Sequence, residues 1–164
     1  MVKQNSGRII NAGSHAFLGI FGGTGYAAAK GGIISLTRAM ARDLKAYGVT
    51  CNAFCPGART RLSSGDQYEK QIKSLHARRC LTDEQMEAAL NPPDPSFVAP
   101  LVLHLSTDEA AHINGQVFSV SGGYVGLFPE SEEETLIYRD AIKQGAWTID
   151  ELAKVLPGKA GTIL

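Results

Sequence analysis

Apolar residues along the chain fall into runs of two different periods. Gly7-Arg8-Ile9-Ile10-Asn11-Ala12 reads as a short buried strand closed by Gly13. Residues 15–25 form a glycine-rich loop. From Tyr26 to Tyr47 the period turns helical: Ile33, Leu36, Met40, Leu44 and Tyr47 recur at three- and four-residue steps and predict one apolar stripe. Gly48 ends that helix, as a glycine in the left-handed region does. Val49 to Cys55 is a second apolar strand, stopped by Pro56-Gly57. Residues 58–95 are mixed, with helical stretches near 66–77 and 82–90. Asn91-Pro92-Pro93-Asp94-Pro95 breaks the chain. Ser96 is the expected cap of the helix that follows, with Pro100 in its first turn, where a missing N–H is tolerated. Gln116 to Val120 is a third strand, closed by Ser121-Gly122-Gly123. The tail from 127 to 164 opens on an acidic run, Glu130 and Glu132–Glu134, read as a solvated helix start, and carries about two short helices.

Strands separated by helices of this length indicate an α/β fold with a parallel sheet. Three strands make a thin sheet, and parallel sheets are normally buried on both faces. The first strand begins at residue 7, so its outer edge is expected to need a covering partner. The expected division is 1–126 for the sheet domain and 127–164 for a C-terminal extension.

Composition narrows the function classes. The chain has 164 residues, 16 Lys+Arg against 16 Asp+Glu, and a formal net charge of zero. A balanced charge gives no footprint for nucleic acid or an anionic membrane. No apolar run reaches the length of a membrane span, and residues 1–7 have no apolar leader core, so a cytoplasmic location is the expectation. Cys51 and Cys55 lie four residues apart in an extended strand, about 13 Å at roughly 3.3 Å per residue, too far to bridge. Those two and Cys80 are expected as reduced thiols. His15, His76, His104 and His112 are scattered without zinc spacing, so no metal site is expected.

The chemistry concentrates at strand ends. Tyr26 and Lys30 sit at i and i+4 on one helix face. An ammonium beside a phenol favours the phenolate and lowers a tyrosine pKa from about 10 toward neutrality. Such a phenol can exchange a proton with an alcohol or carbonyl oxygen. Ser14 closes the first strand twelve positions before Tyr26, and Pro56-Gly57 closes the second. Ligands of open α/β sheets bind beyond the carboxyl ends of strands.

Four segments, in order, resemble the motifs of the short-chain dehydrogenase/reductases. Residues 7–14 resemble the GRIxNxSS strand, Tyr26-Ala27-Ala28-Ala29-Lys30-Gly31-Gly32 resembles YxAAKxG, residues 48–57 resemble GVxxNxxxPG, and residues 113–123 resemble the closing xxGQxxxxxGG. The run 55–62 is similar to a subgroup near the (3R)-hydroxyacyl-CoA dehydrogenase domain of peroxisomal multifunctional enzymes, beside the 3-oxoacyl reductases. The resemblance implies a partial Rossmann-like, doubly wound sheet made of the family's last three parallel strands. It also implies roles. Tyr26 is the general acid/base. Lys30 tunes it and bonds the nicotinamide ribose. Ser14 polarises the reacting carbonyl. Pro56, Gly57, the backbone at Ala58 and the Thr60 hydroxyl line the nicotinamide pocket, and Asn52 is structural. The implied cofactor is NAD or NADP, and the implied substrate is a small hydroxyl/carbonyl compound, with acyl-CoA among the candidates.

The departures define the remaining expectations. The Ser14–Tyr26 spacing is one residue short, Gly13 replaces the first serine of the usual pair, and the Pro-Gly-to-threonine spacing is one short. The family's TGxxxGxG, NNAG strand and catalytic asparagine belong upstream of these motifs. Gly23-Thr24-Gly25-Tyr26-Ala27-Ala28 matches GxGxxA, but no strand immediately precedes it and Asp43 lies inside a helix, so it is read as a decoy. The chain is therefore expected to be the C-terminal half of an alcohol/ketone oxidoreductase, truncated and inactive alone, forming a homo-oligomer or taking a complementing N-terminal half. The alternative is a non-catalytic remnant that serves as an oligomerisation or interaction module. His15, Arg59 and Arg61 are read as solvated surface residues.

Overall fold

The structure, a computed structural model, describes residues 1–20, 22–133, 135 and 137–156. It forms two compact units, Met1–Pro129 and Glu130–Leu164. In the first, strands β1 (Gly7–Ala12), β2 (Val49–Pro56), β3 (Val117–Ser121) and β4 (Tyr124–Phe128) form one sheet in that order. The first three are parallel, and β4 returns antiparallel to β3. The expected parallel α/β core is present, but β4 adds a fourth strand. Ser121 pairs with Tyr124, so Gly122-Gly123 is a two-residue hairpin turn, with Gly122 at φ 54°. β4 crosses the expected boundary at 126 and ends at Phe128.

Helix α1 (Gly23–Leu44) continues as a 3-10 turn, Lys45–Tyr47, and stops at Gly48 with φ 65°. A side chain at 48 would run into the Asn5 carbonyl as well as straining that backbone. Helices α2 (Asp66–Ala77) and α3 (Asp83–Leu90) stand where the sequence puts them. Helix α4 (Ala99–Leu105) carries Pro100 in its first turn. Ser96 does not cap it. Asp94 instead accepts the Ser96 N–H and caps the 3-10 turn Pro95–Phe97.

The face of α1 against the sheet differs from the expected stripe. Ile34, Thr37 and Ala41 are buried, whereas Leu36 is 52% and Tyr47 42% exposed. The buried set keeps helical spacing, and two of its three side chains, Thr37 and Ala41, are small, which lets the helix lie close on the strands. Ile34 packs on Ala53, Cys55 and Val117, with Phe17 and Phe128 at the margin. Asn11 faces the same way and donates to Thr37 Oγ1 at 2.9 Å. Arg8, of opposite parity in β1, donates to the Thr107 carbonyl and pairs with Asp108 just past α4. Helices therefore flank both faces, and β2 lies buried along most of its length.

In the second unit, α5 (Ala141–Gln144) and α6 (Ile149–Val155) are the two expected tail helices. Glu130 and residues 131–133 are not helical, and Glu134 lies outside the described residues. Arg139 forks onto Glu151 at 2.7 and 3.1 Å and stacks 4.0 Å above the Trp147 ring. That guanidinium, with the Thr148 N–H and hydroxyl, draws the Glu151 carboxyl down to about 2.

Candidate active site

The carboxyl ends of β1 and β2 are neighbours, with Ala12 opposite Phe54. Beyond β1 the chain runs through buried Gly13, whose N–H still bonds the Phe54 carbonyl at 2.8 Å. Ser14 is extended and half-buried. Its Oγ accepts the Ala16 N–H at 3.1 Å and caps the 3-10 turn His15–Leu18. A hydroxyl has one proton and two lone pairs. The cap uses a lone pair, so the proton is left for an external oxygen.

Tyr26 is the fourth residue of α1 and is 46% exposed, its ring lying against Gly22. Lys30, one turn on, reaches back across the strand end: its Nζ donates to the Ala12 carbonyl at 2.9 Å and lies 5.7 Å from the Tyr26 ring centre. Lys30 is thus the link between the helix that carries the phenol and the strand end that leads to Ser14. The ammonium keeps two further donors for a ligand. The GxGxxA match falls in the first turns of α1, preceded by a 3-10 turn rather than a strand, and Asp43 lies inside the same helix.

At the end of β2, exposed Pro56 pairs with Val120, and the Gly57 N–H bonds the Val120 carbonyl at 2.8 Å. A Cβ on Gly57 would press on Ser121 Oγ at 2.7 Å, so this close approach requires glycine. The Ala58 carbonyl accepts the Ser63 hydroxyl at 2.9 Å. Thr60 is exposed, and its hydroxyl caps the turn Arg61–Ser63 by accepting the Leu62 N–H. Asn52 is structural as expected: it donates to the Ile113 carbonyl and accepts the Gln116 N–H, both at 2.9 Å.

His15 is not a solvated loop residue. Its Nε2 lies 2.9 Å from Ser119 Oγ on β3, and its ring meets Phe128 edge-on at 5.6 Å. Burial holds its pKa below the usual histidine value. Cys51 and Cys55 are free, buried thiols. Cys55 lies directly beside Gly13, and burial pushes its thiol up to about 11, against the Ser14 backbone N–H and the Lys30 charge. Sequence spacing gives no sign of that contact. Arg59 and Arg61 are exposed. Arg59 borders a cavity of about 130 Å³ shared with Tyr68, Glu69 and Pro92.

Comparison with known proteins bears on this arrangement. Residues 1–125 match the family described as enoyl-(acyl carrier protein) reductase. The chain is 38% identical over 130 residues to the 3-oxoacyl-[acyl-carrier-protein] reductase FabG of Vibrio harveyi, covering 75% of this chain and 48% of that protein. It is 36% identical over 152 residues to the hydroxyacyl-CoA dehydrogenase ChsB1 of Mycobacterium tuberculosis, covering 92% of this chain and 43% of that one. Among solved structures, a short chain dehydrogenase from Mycobacterium avium superposes with a TM-score of 0.65 at 33% identity, over 96% of this chain and 45% of that chain. The chain thus spans about half the length of the relatives it matches.

Proposed function

Because the chain belongs to the short-chain dehydrogenase/reductase family, we propose that it forms the substrate-side half of an NAD(P)-dependent oxidoreductase that interconverts an alcohol and a ketone. Relatives named for 3-oxoacyl and hydroxyacyl thioesters support a substrate of that kind. The observation that carries the reading is the position of Lys30. Its ammonium joins the Ala12 carbonyl to the turn of α1 that bears Tyr26, at the carboxyl edge of a parallel sheet.

The residues present fit the nicotinamide-ribose end of the cofactor. Lys30 has two donors left for ribose hydroxyls, and Pro56, Gly57 and Ala58 lie at the end of β2, the strand paired with the one whose last carbonyl holds Lys30. Thr60 lies next along the chain, for the carboxamide. When bound, the nicotinamide supplies or takes the hydride. Ser14 donates its free proton to the substrate oxygen and fixes where charge develops. Tyr26 gives that oxygen a proton in reduction and removes one in oxidation. Lys30 balances the charge left on the phenol oxygen. We assign the pyrophosphate contact to a complementing N-terminal half, on a second polypeptide or a longer parent chain. Exposed Leu36 and the open space over Gly31 and Gly32 support a protein partner on α1, a second copy or that complementing segment.

The test is titration with NADH and NADPH by nicotinamide fluorescence, then oxidation of either by acetoacetyl-CoA. It is run on the chain alone and with the N-terminal half of a 3-oxoacyl reductase added. Tyr26→Phe should lower turnover on the order of 100-fold or more with the fold unchanged. No binding at millimolar cofactor in either format, or unchanged turnover in Tyr26→Phe, refutes the proposal.

A further inference from the structure

Between the sheet and Ser14 lies a contact that the proposed chemistry does not itself use. Gly13 is buried, and a Cβ built on it would stand 2.9 Å from Cys55 Sγ, 3.1 Å from Ile34 Cδ1 and 3.3 Å from the Phe54 carbonyl oxygen. Cys55 is fully buried, packed with Ile34, Ala53 and Val117. The sulfur, with Ile34 and the Phe54 carbonyl, therefore crowds the place that a side chain on residue 13 would take. The residues on either side of Gly13 are already fixed. Ala12 is held by Lys30, and Ser14 Oγ accepts the Ala16 N–H. Gly13 is held on one side by its N–H bond to the Phe54 carbonyl, and the side where a Cβ would stand faces the Cys55 sulfur and Ile34.

We propose that Cys55 is a positioning residue for Ser14, its sulfur acting as the stop against which the Gly13 backbone turns Ser14 toward Tyr26 and Lys30. This rests on the reading of Ser14 as the donor to the substrate oxygen. The sulfur and the glycine form a matched pair: the sulfur on β2 leaves no room for a side chain at residue 13. The electrostatics agree, since the Ser14 N–H and the Lys30 ammonium both act on this thiol.

The matched pair makes the idea testable by exchange. Cys55→Ala empties the space, and a strand-end shift of a fraction of an ångström follows, where about 1 Å can reduce a rate on the order of 100-fold. Turnover should fall about tenfold in kcat, with KM for the dinucleotide unchanged. Gly13→Ala alone forces a Cβ onto the sulfur and should fall at least as far. Gly13→Ala/Cys55→Ala removes the 2.9 Å clash and sets a methyl beside the emptied sulfur site, so kcat should recover most of what either single variant loses, a coupling expected only of touching residues. Cys55→Ser, which keeps a heavy atom at that point, should lose less than Cys55→Ala.

The backbone amide resonance of Ser14 gives a second readout that needs no turnover. It should shift in each single variant and return toward the parent in the double variant. Additive losses in the double variant, or a Ser14 amide indifferent to Cys55→Ala, overturn the positioning role. If the parent chain shows no turnover in either format while the Ser14 amide still follows the exchange, the oxidoreductase reading fails and the link from Cys55 to Ser14 stands.

Discussion

Asn52 is the most informative residue to remove. Its side chain is 1% exposed, in the middle of β2. Its amide N–H donates a hydrogen bond to the Ile113 carbonyl and its oxygen accepts one from Gln116 N–H, and Ala53 N–H then bonds the Gln116 carbonyl at 2.8 Å. Two consecutive residues of β2 thereby set the residue at which β3 begins. Asn52→Ala leaves a carbonyl and an amide without partners, at about 1–3 kcal/mol for each group that is cut off from water. Ile113 is half-buried and Gln116 exposed, so water reaches part of both. The lower end applies, about 1 kcal/mol each, and the emptied volume brings the expected loss to about 2–3 kcal/mol. Asn52→Asp should be worse at neutral pH, because it sets a buried carboxylate against the Ile113 carbonyl. The assay is urea unfolding by far-UV circular dichroism. Trp147, the only tryptophan, lies in the second unit and reports on that unit separately. With a urea slope of about 1–3 kcal/mol per molar, the midpoint should fall by roughly 1–2 M. A change below about 0.5 kcal/mol for Asn52→Ala, the size usual for surface substitutions, would refute the argument that this side chain fixes the β2–β3 register.

His15 should make stability depend on pH. Its pKa is lowered in the folded chain, so the unfolded chain binds the extra proton first. The contribution is present above the unfolded value of about 6.5 and is lost as pH falls through the window beneath it. The slope of unfolding free energy against pH in that window should flatten in His15→Gln, and an unchanged slope counts against the burial account. In the second unit, Glu151 is ionised well below the usual carboxylate range, to about 2. Its contribution is present above about 4.5, the unfolded value, and is lost as pH falls toward 2. Acidification across that range, or Arg139→Ala at neutral pH, should red-shift Trp147 emission, and an unmoved spectrum refutes the stacked arrangement.

What was legible in the sequence, and what was not, follows from the range of each interaction. The three parallel strands and the end of α1 are written in local patterns: apolar runs, Pro56-Gly57 at a strand end, and a glycine where φ is 65°. The i, i+4 spacing of Lys30 to Tyr26 is written locally, whereas its bond to the Ala12 carbonyl is long-range and is not. β4 is hidden in the sequence because Ser121-Gly122-Gly123 reads as a terminator. The same two glycines make a hairpin once an apolar segment, here Tyr124–Phe128, follows them. The α1 stripe was misplaced because periodicity weighs the largest apolar side chains. Which face a helix turns to the sheet is set by its docking: Ile34, with the small Thr37 and Ala41, faces inward, whereas Leu36, as large as Ile34, does not. The same limit applies at the candidate site. His15 is half-buried through contacts with Ser119 and Phe128, more than a hundred positions away along the chain. Gly13, which in the sequence is a departure from the family pattern, gains its meaning only from the sulfur of Cys55 on the neighbouring strand. Departures from a motif should therefore be judged together with the side chain that occupies the vacated volume, because a glycine and a cysteine forty-two positions apart can form a single packing unit.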